Sequence, residues 1–154
     1  MSDPYNLARF VSGQDADGTY DRAITELRGG RKASHWMWFV FPQIAGLGSS
    51  PLSREYAISS LEEAVAYLRH PILGRRLTEC ANVLAATEAL DAAEIFGCVD
   101  AKKLRSSMTL FMRAAPGPSV FERVLDRYFS GMPDEATDER LQMETGRPST
   151  RGGD

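Results

Sequence analysis

The spacing of apolar residues is the feature that most limits what this chain can fold into. Leu73, Leu77, Cys80 and Leu84 recur at i, i+4, i+7 and i+11, and Leu104, Met108, Phe111 and Ala115 repeat the same pattern. Shorter sets do likewise: Tyr20, Ala23, Ile24 and Leu27; Leu61, Ala64, Val65 and Leu68; Val120, Val124, Leu125 and Tyr128. Each set lies on one face of a helix with 3.6 residues per turn. Helix breakers fall between the sets: Gly29-Gly30, Pro42, His70-Pro71, Gly97, Pro116-Gly117-Pro118 and Gly131. Start signals stand where they are needed. Thr19, Ser34 and Asp100 are candidate caps, and Ser59…Glu62 or Ser60…Glu63 reads as a capping box. No run alternates with the period of a strand. These patterns predict an all-α domain, a compact multi-helix bundle or short α-horseshoe of six to eight helices. A weak last helix is expected over Ala136 to Met143, within a single domain over 1–145. The remainder, 146–154, is polar and Gly-rich and is expected to be a disordered tail.

The 154 residues carry 43% hydrophobic and 25% charged side chains with a formal net charge of −3. That suffices for one buried core, and it argues against a dominant nucleic-acid or membrane surface. No apolar run approaches the roughly 20 residues that span a bilayer. The N-terminal MSDPYNLARF lacks the basic start and apolar stretch of a leader, so a soluble, cytoplasmic protein is expected. Cys80 falls in an apolar stripe and reads as a buried free thiol. Cys80 and Cys98 lack metal-ligand spacing, and the two histidines have no carboxylate partner at such spacing. No metal and no cofactor are therefore expected.

Residues 31–53 stand apart. Trp36, Trp38, Phe39 and Phe41 crowd beside Lys32, His35 and Gln43, and the Gly-rich stretch with Ser50 and Ser53 follows. Trp36, Phe39 and Val40 have the make-up of an aromatic core plug. The polar members suit a ligand rim on a loop that rigid aromatics anchor. His70, at a helix end before Pro71, has a structural explanation. His35 has none and is the candidate general acid or base. On the helix from Asp100, the residues Arg105, Ser106, Thr109 and Arg113 face away from the apolar stripe. Small hydroxyls between arginines suit an anion better than a merely solvated face does. Lys103, Arg75 and Arg76 add positive charge.

The stretches GRKASHWMWFVFPQIAGLG and HPILGRRL, with ARFVSGQ, IFGCVDAKKLRSSMTLF and VFERVLDRYFSG, resemble the bacterial and fungal proteins grouped as domain of unknown function 1810. The likeness runs from Asn6 to Gly131. It implies an all-α fold of the horseshoe type and no settled activity. Some relatives carry the label calpastatin, which this short, core-patterned chain does not support. Cys98 stands where the family pattern leads us to expect proline.

The sequence thus points to a pocket between the 31–53 loop and the 100–115 helix for a small anionic, nucleotide-like molecule, bound and conceivably turned over. Lys32, Trp36, Trp38, Gln43, Ser50, Arg76, Lys103, Arg105, Ser106 and Thr109 would line it, with His35 moving a proton. The alternative is a protein–protein interaction module that uses the aromatic 36–41 segment.

Overall fold

Side-chain caps fix where most of the helices begin. Asp3 accepts from the N–H groups of Leu7 and Ala8 at 2.8 and 3.0 Å ahead of α1 (Ala8–Asp15). A single 3-10 turn, Ala16–Gly18, leads into α2 (Thr19–Arg28). Thr19 turns its hydroxyl back to the carbonyl of Ala16 rather than capping the helix it starts. Two short helices follow, α3 (Met37–Val40) and α4 (Pro51–Glu55). Ser60 caps α5 (Leu61–Arg69) through the N–H of Glu63 at 3.0 Å, and the Glu63 carboxylate reaches back to Ser59. After a tight turn comes α6 (Leu73–Ala86). Asp91 caps α7 (Ala92–Ala114), Ser119 caps α8 (Val120–Phe129), and α9 covers Glu135–Glu144.

The computed structural model describes residues 3–87 and 91–144, and the chain is all-α as the periodicity requires. The expected tail at 146–154 lies outside the described residues. Among the described residues the sole strand-like pairing outside the helices is an isolated parallel bridge, Ile44 with Ile58. None of their helices is long and apolar enough to cross a membrane.

Two further local expectations change. Residues 44–53 are not loop throughout: Ser50 accepts from the N–H of Ser53 at 3.2 Å and Pro51 takes the first helical position, so α4 forms. Ser34 does not cap the Trp36–Phe41 helix, because its hydroxyl goes to Glu26. The break expected at Gly97 is present: at φ +80° and ψ 164° it interrupts α7 and turns the short 92–96 piece relative to the long one that follows.

The long part of α7 lies in the centre. It packs on α5 and α8, and α6 closes the ring by packing on both of those. The apolar stripes read from the sequence meet here: Leu73, Leu77, Leu84, Leu104, Met108, Phe111 and Val124 are buried. On the far side of α6, α2 adds a layer, and α1 bridges α2 to α3. On the other side of α7 lies α9. Aromatic rings run through the interior: Phe10 meets Tyr67 at 5.1 Å, Tyr67 meets Phe111 at 5.1 Å, and Phe111 meets Phe121 at 6.0 Å. Arg9 staples α1 to the chain between α4 and α5. Its guanidinium donates to the carbonyls of Tyr5, Asn6, Glu55 and Ala57 and to the buried Glu63 carboxylate at 3.1 Å. All five of its donors are used.

The turn between α5 and α6 is a tight approach. His70 Nδ1 accepts from the N–H groups of Ile72 and Leu73, so this histidine caps the start of α6. A Cβ on Gly74 would stand 2.0 Å from the carbonyl oxygen of Leu68. Backbone, not a flexible side chain, meets it. Gly74→Ala should therefore cost at least about 2 kcal/mol by overpacking, lowering the melting temperature by roughly 4–8 °C in a domain of this size. An unchanged urea midpoint would show that the turn relaxes freely.

Candidate functional site

The aromatic segment is held from beneath by one carboxylate. Glu26, in the last turns of α2, accepts from the N–H of Ala33 at 2.7 Å and of Ser34 at 3.0 Å. It also accepts from the Ser34 hydroxyl at 2.6 Å and the Trp36 indole at 2.9 Å. Burial alone raises the pKa of this group, but the four donors outweigh it and bring the value down to about 2. The indole of Trp36 is fully buried and stacks edge-on with Phe96, while Phe41 tilts against it at 6.2 Å. Trp36 is thus the core plug, and the chain leaves it at a fixed angle into α3.

Beyond α3 the backbone closes a loop. Ala45 donates to the carbonyl of Ile58 at 2.8 Å, and Ile58 donates to that of Gln43 at 2.9 Å. Between the loop and the start of the long part of α7 is a cleft of about 310 Å³. Met37, Phe41 and Ile44 give it an apolar floor, and Trp38 and Tyr56 flank it. Gln43, Ser53, Arg54 and Lys103 supply polar groups, and no carboxylate lines it among the described residues. The Tyr56 hydroxyl is pushed up from its ordinary pKa, chiefly by burial and then by the Glu55 charge, so it stays a neutral donor.

The charge at this cleft is set by unequal sharing. Asp100 lies 3.0 Å from the Lys32 ammonium, whose side chain is 9% exposed, and 3.6 Å from the more open Lys103 ammonium. One carboxylate faces two cations and is closer to Lys32. Lys103 keeps the residual charge and lies 5.8 Å from the Trp38 ring centre. No carboxylate pairs with Arg54 among the described residues.

Of the residues expected to share one pocket, the cleft brings together Trp38, Gln43 and Lys103. Lys32 acts from behind, through Asp100. Trp36 is core, and Ser50 is the cap of α4. His35 is exposed and does not line the cleft. Arg76 belongs to a different cluster on α6, donating to Gln14 at 3.1 Å, pairing with Asp15 at 2.8 Å and covering the Tyr20 ring. The expectation that the cleft extends along α7 to Thr109 is corrected. Arg105 donates to the carbonyls of Met132 and Pro133, Ser106 donates to Asp134, and Thr109 accepts from the Asp134 N–H at 2.8 Å. Small hydroxyls were chosen on this face because another piece of the chain lies on it. The residues missed in the sequence are Arg54, Tyr56 and Asp100. They carry no motif, and folding of the 44–58 loop is what brings the first two to Lys103.

Neither cysteine contributes. Cys80 is buried and its thiol is pushed up to about 12 by burial, while Cys98 is exposed on the far side of the Gly97 break. Trp36, one of the two rings on which an interaction surface could rest, is inaccessible.

The model of the family described as "Protein of unknown function (DUF1810)" matches residues 4–141. Among solved structures, the chain is similar to the conserved hypothetical protein Rv1873 from Mycobacterium tuberculosis. The two are 50% identical, the match covers 90% of this chain and 98% of that one, and the TM-score is 0.87. No curated protein matches the chain.

Replacing the anchor tests this account. Glu26→Gln removes a charged acceptor from four donors and should cost about 1–3 kcal/mol at neutral pH. The folded pKa of about 2 lies below the ordinary 4.5, so the unfolded chain holds the proton more tightly. The stability due to this carboxylate is complete above about pH 4.5 and is lost as pH falls toward about 2. Urea titrations of both proteins should give a constant gap at pH 5 to 7 (approximately) that closes in acid. A gap that persists unchanged at about pH 2.5 would mean Glu26 is not the anchor.

Proposed function

For a chain that belongs to the DUF1810 family, whose description brings no activity with it, we propose that the cleft under the 44–58 loop binds a small anionic molecule carrying a planar ring. One observation carries this reading: the cleft joins two aromatic rings, Trp38 and Tyr56, to two cations, Arg54 and Lys103, without a lining carboxylate. Ligand sites are mostly apolar with a few convergent polar groups, and this one follows that rule. The rings offer faces to a heterocycle. The side-chain amide of Gln43 can donate to and accept from its edge.

Size narrows the class. A volume of about 310 Å³ falls at the low end of the roughly 300–1,000 Å³ typical of ligand pockets. It suits a ring with a short acidic arm or a mononucleotide held in part, and a dinucleotide is too large. The chemistry is binding. The Tyr56 hydroxyl stays protonated, and the exposed His35 stands outside the lining, so no acid and base face each other across the cleft. The interaction-module alternative has less support, because Trp36 is fully buried and Trp38 is half-buried in the concave wall.

A thermal-shift panel of nucleoside monophosphates, aromatic carboxylates and their uncharged counterparts tests this. A ligand at 100 times its dissociation constant adds about 2.7 kcal/mol, equivalent to a rise of roughly 5–10 °C. Anionic ring compounds should raise the melting temperature, and Trp38→Ala and Lys103→Met should each remove the shift while leaving the unliganded melt within a few degrees. Shifts that survive Trp38→Ala, or a panel with no response, would rule the cleft out as the site.

A further inference from the structure

The polar face of α7 has a consequence at the cleft. Besides Arg105, Ser106 and Thr109, it includes Arg113, whose guanidinium makes two 3.0 Å bonds to the Asp138 carboxylate. Asp134 in turn accepts from the N–H and hydroxyl of Thr137, at 3.0 and 2.6 Å, at the start of α9. These contacts span residues 132–138 and hold α9 to α7 in one register. Leu141, also buried, completes the seat. The helix so fixed carries Arg140 to Gly46. Its guanidinium lies against Gly46, one of the lining residues: a Cβ there would stand 2.7 Å from Arg140 Cζ. Gly46 has φ +99°, a left-handed conformation in which glycine is the natural residue, so no side chain comes between the guanidinium and the backbone. No carboxylate pairs with Arg140 among the described residues.

We propose that Arg140 is the residue that selects the acidic group of the ligand, a carboxylate or a phosphate, with the ring directed inward between Trp38 and Tyr56. This rests on the binding role given above to the same cleft. A guanidinium differs from the Lys103 ammonium in kind. It is a planar fork that meets two oxygens at once, whereas the ammonium is a point charge. Lys103 and Arg54 therefore supply attraction, and Arg140 supplies the geometric test for an oxyanion. The docking of α9 fixes the backbone that carries it before a ligand arrives, which removes part of the ordering cost at binding. Arg140 is exposed, so replacing it leaves the core intact.

Isothermal titration with matched pairs decides the matter: adenosine 5′-monophosphate against adenosine, and indole-3-acetate against indole-3-acetamide. The wild-type protein should prefer at least one acid over its neutral partner by at least tenfold, and the pair that shows this tells phosphate from carboxylate. Arg140→Gln should reduce that preference at least fivefold, leave the neutral compound's affinity unchanged and leave the melting temperature unchanged. Arg140→Lys should fall between the two. A preference that Arg140→Gln leaves intact, in a protein whose ring binding still depends on Trp38, would overturn the role of Arg140 and spare the cleft. Failure of all four compounds to bind the wild-type protein would overturn both.

Discussion

The Glu26 carboxylate collects four donors from residues 33–36, and the geometry of the cleft starts from where it puts Trp36. The segment after Gly29-Gly30 has no helix of its own to satisfy its backbone, so its N–H groups need an acceptor. Ala33 and Ser34 find it in a side chain of the preceding helix. The same carboxylate takes the indole N–H of Trp36, which lets a ring of that size enter the core with its polar edge satisfied. Once the ring is fixed between Phe41 and Phe96, α3 can leave in one direction. Met37 and Phe41 then point to the floor of the cleft and Trp38 to its wall.

A second set of constraints closes the loop that covers this floor. The Ile44–Ile58 bridge ties its neck, Arg9 binds the carbonyls of Glu55 and Ala57, and Ser50 begins a one-turn helix that turns Arg54 outward beside the cleft. Gly48 is needed here, because a Cβ would meet Ser53 at 2.6 Å. The loop is therefore a built wall of the cleft. It differs from a free lid in that its ends are hydrogen-bonded to each other and its base to α1.

The helices and the core were legible in the sequence because both follow from periodicity. Leu77, Cys80, Leu84, Leu104, Met108 and Phe111 are buried as their spacing requires. Trp36 reads from the sequence both as a core plug and as a lining ring, and its complete burial decides for the core. The polar residues were read less well, and for a definite reason. Ser106 and Thr109, beside Arg105, are small and hydroxylic for a merely solvated helix face. Such a face, however, announces only that something polar lies on it. Whether that is a ligand or the segment around Asp134 depends on where α9 returns, and no local pattern encodes a contact some 25 residues away. Arg76 shows the same limit: its charge was plain, but Asp15 and Gln14 on α1 neutralise and orient it. Glu26, which organises the site, looked like any helix glutamate.

The ion pairs explain why a chain of net charge −3 presents a basic cleft. Carboxylates are matched to cations where the fold needs a joint: Glu63 with Arg9 between α5 and α1, Asp15 with Arg76 between α1 and α6, Asp138 with Arg113 between α9 and α7. At the cleft the cations outnumber the carboxylates. Asp100 answers Lys32 and leaves Lys103 partly unmet, and Arg54 on the loop and Arg140 against Gly46 have no acidic partner among the described residues. Like charges held near one another repel, at about 4 kcal/mol for two charges 4 Å apart in an effective dielectric near 20, and much less at wider spacing or in full solvent. A fold with acidic residues in excess has the means to relieve that repulsion by placing one more carboxylate there. The lining instead combines aromatic rings with unmatched cations, an arrangement that an incoming anion with a ring would complete and that packing or folding does not require.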